Sequence, residues 1–418
     1  AREGVVCVNH FTTSTVCSPS RGALMTGCYP HTTGFMGLVH RGWTLNVDDF
    51  PTIPMRMREA GWGTFLFGGH HEHLYPEKLG YDLVKLPGDR GEKNHIENGV
   101  HDVVEFLSSE RATAKPFFVS VGSGEVHSQH YFGKGPSGWL RDVYRPAAPA
   151  EVVVPPWMPD IPEIRRELAD FYGAIRHFDE QVGRVLDALD ETGLAENTVV
   201  ILTTDHGASF LHGKASLYDG GTKNACIWRC PQVLPSGRRC EALTSHVDFM
   251  ATLAELCGFE PSPRQQGRSF AAHLRGEGGE EREHVFAEKN YTNYYDPSRF
   301  ARSKRFKYIR KGLQTCVFDF VIPEIEQSAA DFRKTPDLFN FYSPERCTEE
   351  LYDLEEDPGE IRNLAGDPEY APDLSRMRAA LDAHLEATDD PFRHLRNDLP
   401  MQADGYELLA GFRARKKS

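Results

Sequence analysis

A single cysteine near the start of the chain stands where a nucleophile could act. It opens the run Cys17-Ser18-Pro19-Ser20-Arg21. Ser20 is a good N-cap and predicts a helix that starts near Arg21, which leaves Cys17 in the loop at the helix N-terminus. Backbone N–H groups at such a place favour anions, and Arg21 adds a cation. This position suits attack on a sulfuryl or phosphoryl group, although most unpaired cysteines are simply small buried side chains.

Alternating apolar runs and helical patterns predict the scaffold that carries this cysteine. Short apolar runs at residues 5–8, 64–67, 117–121 and 199–203 indicate buried strands. Residues 164–189 place apolar side chains every three or four positions, which is typical of one buried face of a surface helix. Strands that alternate with helices predict an α/β fold in which helices sandwich a mostly parallel sheet.

The pattern changes near residue 281. The later part of the chain indicates half-exposed strands, a loop and an amphipathic helix, at residues 284–288, 306–309, 328–336 and 374–387. We therefore expect a catalytic α/β domain over residues 1–280 and a smaller C-terminal α+β domain over residues 281–418.

The charge balance limits the partners of the chain. The 418 residues include 47 basic and 61 acidic side chains, a formal net charge of −14. This balance argues against nucleic-acid binding, and an anionic substrate would need a few local cations or a metal to attract it.

No apolar run reaches the roughly 18 residues that a membrane-spanning helix needs. Because the cysteines include no Cys-x-x-Cys pair, a zinc ribbon or a thioredoxin-type site is unsupported.

Together with Leu24-Met25-Thr26-Gly27, the cysteine motif resembles the signature of the type I sulfatases. Further stretches that are similar to this family lie at residues 203–207, 214–221, 245–248 and 350–364. The resemblance implies an alkaline-phosphatase/sulfatase-like fold. It also implies that a formylglycine-generating enzyme converts Cys17 to formylglycine, and that a divalent cation, Ca²⁺ or Mg²⁺, serves as cofactor.

Three other stretches are similar to one subgroup of the family, the heparan N-sulfatases. They lie at residues 31–38, 294–299 and 387–391. This narrower resemblance implies a sulfated saccharide as substrate. It favours N-sulfoglucosamine at the end of a heparan-type chain, with O-sulfated sugars as the alternative.

The family resemblance assigns a metal site to Cys17, Asp205 and His206. Asp205 directly follows the predicted strand at 199–203, where open α/β sheets bind ligands, and its oxygen atoms suit Ca²⁺ or Mg²⁺. A lone aspartate after a strand is otherwise most often a turn or N-cap residue. His206 stands where the family often has asparagine.

Four further residues receive catalytic roles by the resemblance. Arg21 orients residue 17, and Lys214 holds the sulfate oxygens. His127 protonates the leaving group, and His71 lies near the second hydroxyl of hydrated formylglycine. Without the resemblance, Lys214 in its polar loop would be a solvated surface lysine, and His127 after a strand would be structural.

The sequence departs from the family pattern in two site segments. Gly69 stands where the family has a lysine, so that only His71 of that segment matches. Protonated His70 could partly replace the missing cation. A transition-metal cluster is the weaker alternative for the neighbouring histidines, His70, His71 and His73. Of the family's other histidine element, only the final member, His127, is kept.

Residues 1–16 lack a feature that the family requires. The metal site of the family uses two adjacent aspartates after its first strand, whereas these residues contain a single carboxylate, Glu3. The run at 5–8 corresponds to the family's second strand. We therefore expect an N-terminally incomplete chain, or a degenerate relative, that binds its metal weakly and is poorly active as written.

These observations predict a formylglycine-dependent sulfatase that hydrolyses sulfate esters or sulfamates of a sugar. Two other functions stay open: a phosphodiesterase or phosphonate monoester hydrolase of the same superfamily, and an inactive sulfatase-like protein that binds glycans. The resemblance favours a periplasmic or otherwise extracytoplasmic location. The glycosylation sequon Asn290-Tyr291-Thr292 adds weak support for secretion.

Overall fold

The computed structural model describes residues 1–86, 96–124, 126–127, 144–210, 212–292, 295–313 and 347–394. The loop predicted at residues 328–336 lies outside these ranges. The other predicted strands and helices are present, with ends that differ from the prediction by a few residues.

Strands and helices alternate through the first 280 residues. The strands are β1 (Val5–Cys7), β2 (His10–Phe11), β3 (Gly63–Gly68), β4 (Leu83–Lys85), β5 (Phe117–Gly122), β6 (Val200–Thr203), β7 (Cys226–Arg229), β8 (Arg238–Cys240) and β9 (Thr244–Ser245). The helices are α1 (Cys17–Thr26), α2 (Pro30–Thr33), α3 (Ile53–Glu59), α4 (Ile96–Leu107), α5 (Arg111–Ala114), α6 (Pro162–Glu191), α7 (Asp219–Thr222), α8 (Phe249–Cys257) and α9 (Ala271–Arg275).

The strands of this part form two main sheets. One has the order β4-β3-β5 and is parallel throughout, and the other has the order β6-β7-β1-β8. In the second sheet β1 and β8 are parallel, but β7 runs antiparallel to both of its neighbours. A short parallel pair joins β2 and β9. The architecture matches the predicted α/β fold, with β7 as an antiparallel strand that the sequence pattern did not indicate.

β5 and β6 belong to one layer of the fold, although they are not hydrogen-bonded to each other. On one face Val119 and Val200 pack on the same cluster of apolar side chains, and on the other face Phe118 and Ile201 share a second cluster. In the described part of the chain, β5 pairs only with β3, and β6 only with β7. Both strands are therefore half-buried rather than buried as predicted, because each leaves one backbone edge without a partner strand there.

The longest helix, α6, extends the predicted helix at both ends. Pro162 occupies its first turn, where a missing N–H costs nothing, and Gly193 follows its end with a left-handed φ of 72°. One predicted core position, Ile175, is 40% exposed, because Ala174 and His177 occupy the buried face at that turn. None of the helices in the described ranges is both long and apolar enough to span a membrane.

The C-terminal part is built on one antiparallel sheet in the order β10-β11-β12-β13. Its elements are β10 (Val285–Tyr291), β11 (Tyr295–Arg302), β12 (Phe306–Lys311), β13 (Glu349–Asp353) and the helix α10 (Ala371–Ala387). The buried side of α10, which includes Met377 and Leu381, packs on Tyr308 and Leu351 of the sheet. The sheet and the helix therefore share one apolar core.

A buried charge cluster, formed by His31, Glu288, Arg299 and Asp390, ties this sheet to the segment after α1. The His31 ring contacts the carboxylates of Glu288 and Asp390, the latter at 3.3 Å from Nδ1. Arg299 donates two hydrogen bonds to Asp390, from Nε at 2.6 Å and from Nη2 at 2.9 Å. Because Arg299 already occupies both Asp390 oxygens, the cluster is an ion-pair network rather than a cation site.

The predicted glycosylation sequon lies in the same region. Asn290 is 5% exposed, its Nδ2 donates to Glu288 at 2.8 Å, and its Oδ1 accepts from Arg299 at 3.0 Å. A side chain held in this way is not an acceptor for a glycan in the folded protein. The sequon therefore contributes nothing to an extracytoplasmic assignment.

We expect Asp390→Asn to destabilise the fold by about 3 to 5 kcal/mol, because it removes the buried carboxylate that accepts two hydrogen bonds from Arg299. Urea unfolding followed by circular dichroism measures the change. The matched control is Asp389→Asn, since the Asp389 side chain is 85% exposed. Equal stability of the two variants would show that the buried charge cluster does not stabilise the fold.

The same cluster predicts a pH dependence. Burial disfavours a charged His31, but Glu288 and Asp390 outweigh it and raise its pKa above the usual 6.5. The stabilisation by protonated His31 is therefore complete below pH 6.5 and is lost as pH rises through the folded-state pKa. At low pH the wild type should be more stable than His31→Gln. The difference between their free energies of unfolding should decrease as pH rises through the folded-state pKa of His31. The control is the exposed His101→Gln, measured over the same pH range.

Candidate active site

The helix α1 begins at Cys17 itself, not near Arg21 as predicted. Val16 is the N-cap and offers no side-chain hydrogen bond, and the amide of Ser20 closes the first turn on the Val16 carbonyl at 3.0 Å. The early start is possible because Pro19 lies in the first turn, where its missing N–H has no helical partner to lose. Cys17 is therefore the first residue of a rigid helix.

Ser20 connects α1 to the end of β6 instead of capping the helix. Its hydroxyl contacts the carbonyl of Asp205 and lies 3.1 Å from Nδ1 of His246. Nε2 of His246 lies 3.2 Å from Nδ2 of Asn224, which can only donate. Nδ1 of His246 therefore carries the proton and donates to Ser20, whose own proton goes to Asp205. Burial, as the main cause, lowers the pKa of His246 to about 3, which keeps the ring neutral.

The three residues predicted as metal ligands meet at this junction. One donor atom from each of Cys17, Asp205 and His206 lies within 4.8 Å of the others. Cys17 Sγ is 3.1 Å from Nε2 of His206, whose Nδ1 is held by the Gly207 carbonyl at 2.7 Å. The carboxyl end of β6 thus delivers a carboxylate and an imidazole to the first turn of α1.

Arg21 lies between two carboxylates rather than against residue 17 alone. Its Nε donates to Asp205 Oδ2 at 3.0 Å, and its Nη1 lies 3.6 Å from Glu72 Oε1. Glu72 is 4% exposed and also accepts from the amide of His71 at 2.6 Å. The sequence analysis missed this role of Glu72. The signal available in the sequence was an acid three residues after Gly69, the position where the family has a lysine.

Lys214 and His127 form a direct pair, with Nζ and Nε2 at 2.9 Å. Lys214 is 8% exposed, so it is not a solvated surface lysine. Its loop is folded tightly on itself: a Cβ on Gly213 would lie 2.0 Å from the Ala208 carbonyl oxygen, and Ala215 has a φ of 65°. Such a backbone positions a lysine with little freedom, at a cost in strain.

These groups set the charge of residue 17. Burial by itself would raise the pKa of the Cys17 thiol. The charges of His206 and Lys214, with hydrogen bonds from His127 and His206, outweigh burial and hold that pKa well below its usual value. The pKa of His206 moves up despite burial, because Asp205 and Cys17 are close. The arrangement therefore stabilises negative charge at residue 17 and positive charge around it.

The contact that His71 makes is with His40 rather than with Cys17. Nε2 of His71 lies 3.1 Å from Nδ1 of His40, and the two rings stack at 5.2 Å between centroids. Burial, as the main cause, lowers the pKa of His70, which disfavours the cationic form that would replace the missing lysine. In the described residues the histidines of this segment do not form a metal cluster of three ligands. The transition-metal interpretation therefore has no support in this part of the chain.

The donor set at Cys17, Asp205 and His206 fits one side of a divalent cation. Ca²⁺ takes six to eight oxygen ligands, and these residues offer one carboxylate, one imidazole and the atoms of residue 17. Glu3 does not contribute, because it is exposed and pairs with Arg229 at 3.1 Å. Further ligands must come from substrate, from water or from residues other than these.

Comparison with known proteins places this geometry in a family. A family model described as Sulfatase matches residues 1–259. An ulvan-active sulfatase from Formosa agariphila is 27% identical over 428 residues, which cover 93% of this chain and 70% of the relative. The N-sulphoglucosamine sulphohydrolase of Homo sapiens is 28% identical over 440 residues, which cover 94% of this chain and 85% of that protein.

A solved structure of a 2-O GAG sulfatase aligns with a TM-score of 0.71 at 24% identity, and the alignment covers 95% of this chain and 87% of that one. This likeness confirms the predicted alkaline-phosphatase/sulfatase-like fold. Since the family model spans more than half of the chain, the chain belongs to the sulfatase family and is a sulfatase.

Proposed function

We propose that this sulfatase releases inorganic sulfate from a sulfated saccharide, with N-sulfoglucosamine as the favoured substrate and formylglycine at position 17 as the nucleophile. One observation carries the proposal. The buried Sγ of Cys17, 3.1 Å from His206, is surrounded by cationic groups in the first turn of a helix. This environment suits an oxygen nucleophile and the anionic group that it attacks.

The hydrated aldehyde of formylglycine would supply two hydroxyls on one carbon, and a cation held by residue 17, Asp205 and His206 would add charge stabilisation. The cation proposed is Ca²⁺ or Mg²⁺. Arg21 and Ser20 hold Asp205 in place from the α1 side. These contacts fix the orientation of the metal-binding carboxylate before substrate arrives.

Lys214 and His127 act on different parts of the substrate, the sulfate group and the leaving group. The Lys214 ammonium holds sulfate oxygens, and its proximity to Nε2 of His127 lets a proton be shared between the two groups. His127 passes that proton to the leaving amine or alcohol. The role of His71 near the second hydroxyl stays a prediction, since its Nε2 is hydrogen-bonded to His40.

The burial of Cys17 bears on its maturation. The side chain is 7% exposed and lies in the first turn of α1, so an enzyme cannot reach it in the folded protein. A formylglycine-generating enzyme would therefore act on the chain before α1 docks on β6. This partner follows from the proposal that residue 17 is modified.

We expect Cys17→Ala to lower kcat/KM for sulfate release by about 10³-fold or more, because the nucleophile is lost. The protein is produced in a host with formylglycine-generating activity, and a mass spectrum of the wild-type peptide should show the aldehyde or its hydrate. The exposed Cys347→Ala is the control and should keep wild-type turnover.

Turnover retained by Cys17→Ala would contradict the proposed mechanism. An intact thiol with no turnover would favour the inactive, glycan-binding alternative. Faster hydrolysis of a phosphate diester than of any sulfate ester would favour the phosphodiesterase or phosphonate hydrolase alternative.

We expect His127→Gln to lower kcat/KM for glucosamine N-sulfate by about 10²-fold, because the leaving amine needs a proton. The same variant should change the hydrolysis of 4-nitrophenyl sulfate much less, since a nitrophenolate leaves without one. Steady-state kinetics with both substrates measure the difference. An equal loss on the two substrates would assign His127 to sulfate binding instead.

A further inference from the structure

We propose that Trp43, Tyr291 and Tyr295 form an aromatic wall on which the pyranose ring of the substrate stacks, beside the sulfur-binding site. The inference rests on the proposed function and deepens it, because it names residues that recognise the sugar rather than the sulfate. The three rings are in contact in a row. Trp43 and Tyr291 lie 4.9 Å apart between centroids, and Tyr291 and Tyr295 lie 4.7 Å apart.

The backbone places this aromatic wall close to residue 17. The segment that leads into α1 runs parallel to β10, with Ser14 opposite Glu288. Cys17 follows three residues after this bridge and packs against Leu38 of the loop that carries Trp43. The amide of Tyr291 also donates to the Met36 carbonyl at 3.3 Å, which joins β10 to the loop that carries Trp43.

That loop is fastened to α1 directly beside Cys17. The amide of Val39 donates to the Ser18 hydroxyl at 3.1 Å. The next residue, His40, is close enough to residue 17 and Lys214 for their charges to affect its pKa, although burial is the main cause of its lowered value. The loop therefore spans from the reacting group, through His40, to the aromatic wall.

The orientation of Trp43 is fixed by a glycine. A Cβ on Gly37 would lie 2.2 Å from Nε1 of Trp43 and 2.4 Å from its Cδ1, so the indole packs flat on the glycine backbone. The three rings of the aromatic wall are each half-buried, which leaves part of each in solvent. A ring that is fixed on one side and solvated on the other is a ready surface for a ligand.

A pyranose ring fits this surface by its chemistry. One of its faces carries mainly C–H groups, which gain dispersion contact and a favourable electrostatic interaction over an aromatic ring. His40 and Arg41 are exposed on the same loop, which puts a polar and a cationic side chain within three residues of Trp43 in the chain. In a chain of net charge −14, such local groups are needed to attract an anionic sugar.

The test compares variants that lose an aromatic ring with variants that keep one. We expect Trp43→Leu and Tyr291→Leu each to raise KM for glucosamine N-sulfate by about tenfold with little change in kcat, because the stacking energy is lost. Trp43→Phe and Tyr291→Phe keep a ring and should stay near the wild-type KM. Tyr370→Leu is the control, since Tyr370 packs on Phe306 in the C-terminal core.

Inhibition by inorganic sulfate distinguishes a defect in sugar binding from a defect in sulfate binding. The inhibition constant of sulfate should be unchanged in all variants, and an unchanged value also shows that the site is folded. An unchanged KM in both leucine variants would contradict the proposal that the sugar stacks on the aromatic wall. A sulfate inhibition constant that rises in parallel with KM would contradict it as well. If the wild type hydrolyses only the ester glucosamine 6-O-sulfate, that compound becomes the probe. If it releases sulfate from neither, the proposed function fails first, and the aromatic wall fails with it.

Discussion

The docking of α1 against the end of β6 through Asp205 is the interaction on which the active site depends. Ser20 contacts the backbone carbonyl of Asp205, and Arg21 binds its carboxylate at 3.0 Å. These contacts join residues that are 184 or more positions apart in the chain. Because a helix turn and a strand end are both rigid, the two contacts also determine where Cys17 and His206 meet. A small shift of α1 would separate the nucleophile from the ligands that follow β6.

The active site gathers positively charged groups, whereas the molecule as a whole is negatively charged. The whole chain carries a net charge of −14, but Arg21, Lys214, His127 and His206 gather around residue 17. Burial makes each of these interactions stronger than it would be in water, and Glu72 and Asp205 keep the cluster from being purely cationic. The same field that lowers the pKa of a thiol at position 17 would hold the sulfate group of a substrate.

The C-terminal sheet takes part in the site as well as in the fold. The buried charge cluster fastens β10 and β11 to the segment after α1, and the aromatic wall lies at the far end of these strands. His31, Arg299 and Asp390 come from the three stretches that resemble one sulfatase subgroup, and they meet in one network. The three stretches therefore share a structural role, since they supply three of the four residues that join the C-terminal sheet to the segment after α1.

The sequence by itself determined the family and the α/β pattern, and it singled out five residues that the structure brings together: Cys17, Asp205, His206, Lys214 and His127. Local signals sufficed for these, because strand and helix periodicity and a dense motif depend on neighbouring residues. It misplaced the start of α1, since Ser20 has a capping side chain whose hydrogen bond goes to a distant strand instead.

Only the tertiary structure decided the partners that lie far apart in the chain. It paired Glu72 with Arg21, His71 with His40 and Trp43 with Tyr291, and it buried Asn290 of the sequon. It also left β5 and β6 half-buried, although both are apolar enough to be central strands. The physical reason is the same in each case. The burial, the pKa and the contacts of a side chain depend on the residues that the fold brings around it, and the residue type alone does not specify these surroundings.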